Sequence, residues 1–451
     1  ALERSLRGAG FHRLFPIQAA VIPLLSRGAE AAGDEDSPYA CDVCVAAPTG
    51  QGKTLAYAVP LVQALLHRTA PQPRALVLLP TRDLAVQVFR VFELLRQGLG
   101  PGVAQIRARC LVGQRPFAEE QRNLERLPPD VVVCTPGRLA DHVLGRAGRL
   151  GLGALRWFVV DEADRLLTQA YHRWLDVLDR AGAARARGPR LQKLLLSATM
   201  TWNPQKLAML RLHRPIYFFS SQTGRHATPA ELQQQYALCT LAAKPLAVLH
   251  ILGCMLRGEL DGQSCKETGK ALVFCSSVDT SHRLARLLQI CSACGEAPCH
   301  AGPSKDAAPR EALLEPRQVA EFSSNLSQRD RTILLRRFRK GQVRCLVCSD
   351  VAARGIDIPE VSVVVNYSVP SHLQTYIHRV GRTARAGRSG HTFTLVRAAE
   401  MAHFRSMMEE SADCWARLRR LGLPRAARLS KRAWFEEALE ELRRQLEAQD
   451  G

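Results

Sequence analysis

Apolar and amphipathic segments alternate along the chain in two blocks. The apolar runs of the first block lie at 41–46, 74–79, 131–134, 157–160 and 193–196. After a polar stretch at 220–228, the alternation resumes with apolar runs at 271–274, 343–348, 361–366 and 391–395. Short apolar runs separated by longer segments of helical spacing are typical of parallel α/β sheets. The pattern therefore predicts two α/β domains.

The breaks in this pattern predict the domain boundaries. The predicted segments are a first domain at 1–222, a linker at 223–240, a second domain at 241–405 and a C-terminal helical extension at 406–451. Prolines and alanines interrupt the second block at about 291–324, which indicates a surface insertion. Its Cys291, Cys294, Cys299 and His300 leave a zinc site as an alternative, although tetrahedral sites more often use separated ligand pairs.

Charge and cysteine content narrow the class of protein. The 451 residues include 62 Lys and Arg against 42 Asp and Glu, a net charge of +20, with 46% hydrophobic residues. This composition excludes a disordered basic tail and favours a polyanionic partner, either nucleic acid or an acidic membrane surface. Fourteen cysteines are too few for a disulfide scaffold, so we expect reduced thiols in the cytosol or nucleus. Cys41 and Cys44 share CxxC spacing, but in a strand they point to opposite faces, so we expect core residues.

The sequence favours neither membrane insertion nor secretion. No apolar run approaches the ~18 residues of a membrane span, and no signal-peptide pattern begins the chain. The chain begins without Met and inside a candidate motif. We therefore expect that residues preceding Ala1 are missing, together with any targeting signal they carry.

A phosphate-binding loop is predicted after the first apolar run. Residues 47–54 spell Ala-Pro-Thr-Gly-Gln-Gly-Lys-Thr and precede a helical pattern. Glycines allow backbone N–H groups to turn towards a triphosphate, a Lys such as Lys53 reaches the β and γ phosphates, and the Thr54 hydroxyl binds Mg²⁺. Ala47 replaces the first glycine of the general pattern.

An acidic tetrad follows the apolar run 157–160. Asp161-Glu162-Ala163-Asp164 is predicted at the carboxyl end of a strand. Asp161 would hold Mg²⁺ through water, and Glu162 would orient and polarise the attacking water. Alone, four such residues also suit a solvated helix start. Together with the phosphate loop they predict a nucleoside triphosphatase.

The tetrad spells D-E-A-D, and the chain resembles the DEAD-box ATP-dependent RNA helicases of superfamily 2. The family motifs follow in order along nearly the whole chain, at 11–18, 47–54, 80–84, 135–138, 161–164, 197–199, 272–274, 328–331, 349–357 and 378–385. The resemblance implies two tandem RecA-like domains with parallel sheets. It also implies ATP hydrolysis when RNA closes the domains, and separation of short RNA duplexes.

Each nucleotide-site role implied by the resemblance has a chemical reason. Phe11 would stack on adenine, and the Gln18 amide would both donate to and accept from its edge. Arginine fingers, here Arg382 and Arg385, stabilise charge in phosphoryl transfer. The implied nucleotide-binding set is Phe11, Arg13, Gln18, Thr49, Gly50, Gly52, Lys53, Thr54 and, for the ribose, Asp357. The implied catalytic set is Glu162, Asp161, Lys53, Arg382 and Arg385, and the coupling set is Asp164, Ser197, Thr199 and His378.

The implied RNA contacts are hydroxyls, guanidinium groups and close-approach glycines. They are Thr81, Arg82, Gly113, Thr135, Gly137 and Arg138 in the first domain and Arg331, Ser349 and Gly355 in the second. Such groups suit phosphates and 2′-hydroxyls more than base edges, so sequence-independent binding is expected.

Some residues depart from the family pattern. Gln114 stands where a second glycine is usual, and Ser323-Ser324-Asn325 replaces His-Gly-Asp. Thr383-Ala384-Arg385 and the insertion resemble the ribosome-biogenesis branch, which implies nucleolar pre-ribosomal RNA and assembly-factor proteins as partners. Two alternatives remain open at this stage: an ATP-gated RNA clamp or scaffold without functional unwinding, and a DNA helicase. The Gln18 motif and Ser-Ala-Thr at 197–199 disfavour the latter.

Overall fold

The computed structural model divides the chain into two compact units, Ala1–Thr223 and Gly224–Gly451. The residues that the structure describes are 2–31, 34, 36–47, 51–99, 106–148, 150–168, 173–184, 189–197, 208–219, 228, 231–260, 269–294, 314–323, 325–350, 361–384, 389–422 and 432–450. Within this part of the chain, no helix combines the length and apolar character needed to cross a lipid bilayer.

The first unit is built on a parallel sheet that has seven strands among the described residues. The strands are β1 (Val43–Ala46), β2 (Ala75–Leu78), β3 (Ala108–Leu111), β4 (Val131–Cys134), β5 (Trp157–Asp161), β6 (Gln192–Ser197) and β7 (Ile216–Phe219). Their spatial order is β3-β4-β2-β5-β6-β1-β7. The inner strands are apolar on both faces because helices cover both sides of the sheet.

Helices pack on each face of this sheet. They are α1 (Leu2–Gly8), α2 (Pro16–Glu30), α3 (Lys53–Leu65), α4 (Arg82–Gln97), α5 (Phe117–Arg126), α6 (Pro136–Leu144), α7 (Ala163–Thr168) and α8 (Trp174–Ala183). Alternation along β1 shows the two cores: Val43 and Val45 pack with α2 to α4, whereas Cys44 packs on the opposite face. Buried Cys41 belongs to the first of these cores, as expected for a structural thiol.

The second unit repeats this design. Among its described residues, seven parallel strands lie in the order β10-β11-β9-β12-β13-β8-β14. They are β8 (Leu232–Leu238), β9 (Ala271–Cys275), β10 (Val319–Phe322), β11 (Cys345–Ser349), β12 (Val363–Asn366), β13 (Gly390–Val396) and β14 (Leu418–Arg420). The helices are α9 (Lys244–Arg257), α10 (Val278–Cys294), α11 (Gln328–Arg339), α12 (Leu373–Val380), α13 (Met401–Glu409), α14 (Ala412–Ala416) and α15 (Arg432–Asp450).

Two segments differ from the sequence-based expectation. The predicted linker at 223–240 contains β8, which pairs along its whole length with β13. The predicted helical extension contains β14, which pairs with β8. Its last helix, α15, packs through Phe435 and Ala438 into the core formed with α9 and α10. The extension is therefore part of the second unit's core.

Candidate nucleotide and RNA sites

The phosphate loop joins β1 to α3, and Gly52 is its last residue before the helix. Gly52 has φ +71°, in the left-handed region, and caps the N-terminus of α3. A Cβ at this position would overlap the Gln18 amide and come within 3.2 Å of the Phe15 ring. Both the backbone conformation and the close approach of α2 therefore require glycine.

Gln18 connects α2 to this loop. Its Nε2 donates to the Gly52 carbonyl at 3.0 Å, and its Oε1 accepts from the Phe15 N–H at 2.9 Å. The side chain is buried, with 2% exposure. One N–H and one lone pair of the amide remain beyond these two bonds. Phe11 and Arg13, the other predicted adenine-side residues, lie exposed on the segment before α2.

Lys53 begins α3 and lies against the loop. Its Nζ donates to the Ala47 carbonyl at 2.6 Å, and the residue is 8% exposed. The ammonium is thus held at the first residue of the loop that precedes it. Ala47 N–H in turn donates to the Ser197 carbonyl at 3.1 Å, so the end of β6 supports the start of the loop.

Tyr57 joins the two predicted Mg²⁺-binding side chains. Its hydroxyl donates to Asp161 Oδ2 at 3.0 Å and forms a hydrogen bond with the Thr54 side chain. The ring is fully buried, and burial raises the pKa of the Tyr57 phenol well above its usual value. The hydroxyl therefore stays protonated and fixes the orientation of the Asp161 carboxylate.

Two neighbouring acidic residues at the end of β5 are in unfavourable environments: Asp161 is buried, and Glu162 has a strained backbone. Burial, with Glu162 as the next contribution, raises the pKa of Asp161 to about 6, and Lys53 and the Tyr57 hydrogen bond oppose this rise. Glu162 has φ +54°, a left-handed conformation that costs a non-glycine residue of order 1 kcal/mol or more. Such strain is common at functional sites.

The donor set at this site fits Mg²⁺. The Thr54 hydroxyl and the Asp161 carboxylate supply hard oxygen ligands, and they share the Tyr57 hydroxyl as a neighbour. A divalent cation would also favour the ionised form of Asp161, whose burial is otherwise unfavourable. Asp164, predicted to couple this site to RNA, is buried and accepts from the Arg165 N–H at 2.9 Å.

A second group of predicted residues meets at the same carboxyl edge of the first sheet. Gly113 has φ +72°, and a Cβ there would lie 3.7 Å from Arg82 Nη2 and 3.9 Å from Arg138 Nε. Two flanking hydroxyl residues precede helices: Thr81 is the N-cap of α4 and Thr135 that of α6. Gly137 lies in the first turn of α6. The structure thus places all six first-domain RNA candidates in the segments that follow β2, β3 and β4, including the first turns of α4 and α6.

The predicted residues of the second unit lie on α11, on and after α12, and at the end of β11. His378 is on α12, and Arg382 lies in the turn that follows. Arg331 on α11 donates to the Ser323 carbonyl through Nε and Nη2, each at 3.2 Å. Ser349 ends β11 with 3% exposure, and its hydroxyl has no hydrogen-bond partner among the described residues.

Several candidates lie outside the described residues. These are Thr49, Gly50, Thr199, Gly355, Asp357 and Arg385. Cys299 and His300 of the alternative zinc set lie there as well, so that alternative stays untested.

Comparison with known proteins identifies the family. The DEAD/DEAH box helicase model matches residues 15–207, and the helicase conserved C-terminal domain model matches 249–387. "DEAD-box ATP-dependent RNA helicase 1" of Oryza sativa is 34% identical over 501 residues, covering 99% of this chain and 87% of that protein. The chain belongs to the DEAD-box family of ATP-dependent RNA helicases.

Further relatives agree with this assignment. "ATP-dependent RNA helicase DDX51" of Homo sapiens is 36% identical over 91% of this chain, and the chain spans 62% of the human protein's length. The solved structure of Mss116p bound to ssRNA and AMP-PNP superposes with a TM-score of 0.75 at 25% identity, covering 98% of this chain and 79% of that one. S. cerevisiae Dbp5 bound to RNA and ADP BeF3 gives a TM-score of 0.70 at 23% identity, covering 97% of each chain. The predicted fold of tandem RecA-like domains is confirmed.

Two site-supporting residues were absent from the sequence-based prediction. Tyr57 follows Thr54 by three residues on α3, and that spacing on one helix face was the available signal. Arg379 is 3% exposed, forms a bidentate pair with Asp350 at 2.7 Å for each bond, and also donates to Asn366 and Ser368. Arg379 and Asp350 lie in the motifs at 378–385 and 349–357, but the partners of Arg379 are distant in sequence, so no local pattern indicated the pairing.

Proposed function

We propose that this chain is an RNA-stimulated ATPase that separates short RNA duplexes. The observation that carries the proposal is the convergence of two groups at the carboxyl edge of one sheet. Lys53, Thr54 and Asp161 form a charged group suited to a magnesium nucleotide. Arg82 and Arg138, in the first turns of α4 and α6, flank Gly113 at the same edge. Ligands of open parallel sheets bind at this edge.

ATP is the proposed nucleotide. Gln18, held against the phosphate loop by its bond to Gly52, retains hydrogen-bonding capacity for the adenine edge. The phosphates would lie against the loop and Lys53, where Mg²⁺ would be held by Thr54 and, through water, by Asp161. Mg²⁺ would neutralise charge on the phosphates. Glu162 would orient the attacking water and accept its proton, since its carboxylate follows Asp161 at the edge of the site.

Proposed residues of the second domain complete the ATPase. Arg382 and Arg385 would stabilise the charge that develops on the transferred phosphoryl group, a contribution worth roughly 10³ to 10⁵ in rate for arginine fingers. Asp357 would bind the ribose, and His378 would act with Asp164, Ser197 and Thr199 to couple RNA binding to hydrolysis. Arg379 is buried in its pair with Asp350 and would hold α12 in place for these residues.

RNA would be bound through its backbone. Guanidinium groups, hydroxyls and a glycine at close approach recognise phosphates and 2′-hydroxyls, which repeat irrespective of base sequence. Binding to single strands should then weaken with salt, with a log–log slope of about −0.7 per neutralised phosphate. We also propose pre-ribosomal RNA as the cellular substrate, assembly-factor proteins as partners and the nucleolus as the location. The Thr383-Ala384-Arg385 variant and the insertion at 291–324 support this context.

The decisive experiment measures ATP hydrolysis and strand release together. Wild-type chain should hydrolyse ATP slowly alone and faster with single-stranded RNA of any sequence, and should release a strand from a short duplex only with ATP. Lys53→Ala should abolish both activities, because no other cation of the described loop residues replaces its ammonium. ATP-dependent RNA retention without strand release would favour an ATP-gated clamp. Turnover stimulated by DNA as well as by RNA would contradict the RNA assignment.

A further inference from the structure

A buried charged cluster lies behind Arg138, one of the proposed RNA contacts. His142 on α6 is fully buried, with 0% exposure, and Glu120 on α5 retains 6%. The Glu120 Oε2 atom accepts from Arg138 Nε at 2.8 Å and lies 3.0 Å from His142 Nε2. One oxygen of a single carboxylate therefore lies between two basic side chains.

Both ring nitrogens of His142 face oxygen atoms. Nε2 faces Glu120, and Nδ1 lies 3.3 Å from Gln121 Oε1. The Gln121 amide is oriented by its other end, because its Nε2 donates to Glu125 Oε1 at 3.0 Å. A neutral imidazole has one N–H and one lone pair, so it satisfies only one of these two oxygens, whereas imidazolium donates to both. The geometry therefore fits a positively charged His142.

Arg138 is positioned by several other contacts. Its Nη2 donates to the Arg115 carbonyl at 2.8 Å, which ties α6 to the loop that follows Gly113. Its guanidinium lies 5.2 Å from the Phe117 ring centroid, and the same ring stacks on His142 at 4.6 Å. The Asp141 carboxylate is 3.7 Å from Arg138 Nη1 but is 59% exposed, so water screens it much more than it screens Glu120.

The balance of charge decides what Arg138 offers to a phosphate. Arg138 paired with Glu120 alone would be a neutral pair, and a phosphate would compete with the buried carboxylate for the guanidinium. A doubly protonated His142, the form that donates to both facing oxygens, would neutralise Glu120 from the other side. We propose that His142 is a positioning residue for RNA binding, which acts through Glu120 and leaves the positive charge of Arg138 available to an RNA phosphate. This inference rests on the proposed role of Arg138 in binding RNA.

Charge-removal variants test this role in the full chain. The affinity for a fluorescent single-stranded RNA is measured by anisotropy at about 0.1 M salt with a non-hydrolysable ATP analogue. His142→Gln keeps a hydrogen-bond donor but loses the charge, so RNA affinity should fall about three- to tenfold. Glu120→Gln combined with His142→Gln removes both charges and retains an acceptor for Arg138. This double variant should therefore regain affinity to within about twofold of wild type.

The controls separate this role from a structural one. ATP-analogue binding without RNA and the thermal unfolding midpoint should be similar in His142→Gln and the double variant, so only RNA affinity distinguishes them. If His142→Gln does not fold, Glu120→Gln alone tests the inference, because this variant should bind RNA at least as tightly as wild type.

Three results would overturn the inference. These are unchanged affinity in His142→Gln, a double variant no tighter than the single one, and weakened binding in Glu120→Gln. Arg138→Gln separates this failure from failure of the proposed function. If Arg138→Gln weakens RNA binding and His142→Gln does not, only the charge role of His142 is wrong. If Arg138→Gln has no effect, the RNA role of this loop is wrong as well.

Discussion

Replacing Asp161 with Asn should stabilise the first domain while it abolishes ATP hydrolysis. Burial raises the pKa of Asp161 to about 6 from an ordinary value of 3.8. The folded protein therefore binds this proton more tightly than the unfolded chain, so wild-type stability falls as the pH rises from about 3.8 to about 6. At pH 7.5 the ionised Asp161 lowers the free energy of unfolding by about 3 kcal/mol relative to a neutral side chain. Asn carries no charge, and its amide keeps bonds to Tyr57, whose hydroxyl both donates and accepts.

Urea unfolding of the first domain measures this gain. Replacing Trp415 and Trp434 with Phe leaves tryptophans of the first domain as reporters, among them buried Trp157 and Trp174. The free energy of unfolding of Asp161→Asn should exceed that of its parent by about 3 kcal/mol at pH 7.5 and by only about 0.5 kcal/mol at pH 4.

Asp176→Asn, at a side chain 51% exposed on α8, provides a control expected to change stability by less than about 0.5 kcal/mol. Equal or lower stability of Asp161→Asn at pH 7.5 would refute the reasoning that burial of this charge is unfavourable without Mg²⁺.

Two further substitutions test the supports of the two domains. Gly52→Ala should destabilise the first domain by about 1–2 kcal/mol in the same urea assay, because alanine is strained at φ +71° and its Cβ overlaps Gln18. It should also weaken ATP binding, and Gly151→Ala, where a Cβ has open space, is the control. Arg379→Lys should destabilise the second domain by about 3 kcal/mol, since Lys cannot reproduce the bidentate pair with Asp350. Unfolding followed by the fluorescence of Trp415 and Trp434, in a parent whose first-domain tryptophans are replaced by Phe, checks this, and stability equal to that of the parent would contradict a structural role for Arg379.

Hydrophobic pattern located the inner strands, and the edge strands were missed for a physical reason. β1, β2, β4 and β5 are buried on both faces and appear as continuous apolar runs. The edge strands β3 and β10 include Arg109 and Glu321, because a strand with one open side tolerates polar residues. β8 contains three consecutive glutamines, Gln233 to Gln235, so its sequence shows no apolar run and was assigned to a linker.

In the candidate site too, residues in contiguous motifs could be predicted from the sequence, whereas residues that act through tertiary contacts could not. Lys53, Thr54 and Asp161 lie in contiguous motifs at strand ends, so the sequence alone indicated them. Tyr57 and Arg379 act through partners that the fold brings together across 104 and 29 residues of chain. His142 and Glu120 are separated by 22 residues on two helices, and neither belongs to a motif with assigned chemistry. Their roles depend on tertiary contacts that no local pattern predicts.

The dissociation of RNA from Glu162→Gln in ATP tests the central claim most directly. Gln keeps the size of the side chain but loses the charge that polarises water, so ATP, Mg²⁺ and RNA should still bind. Because release of RNA would require hydrolysis, the variant should dissociate from a labelled single strand much more slowly than wild type, and should not turn over ATP. Equal dissociation rates for wild type and Glu162→Gln would contradict the account that ATP hydrolysis controls RNA release.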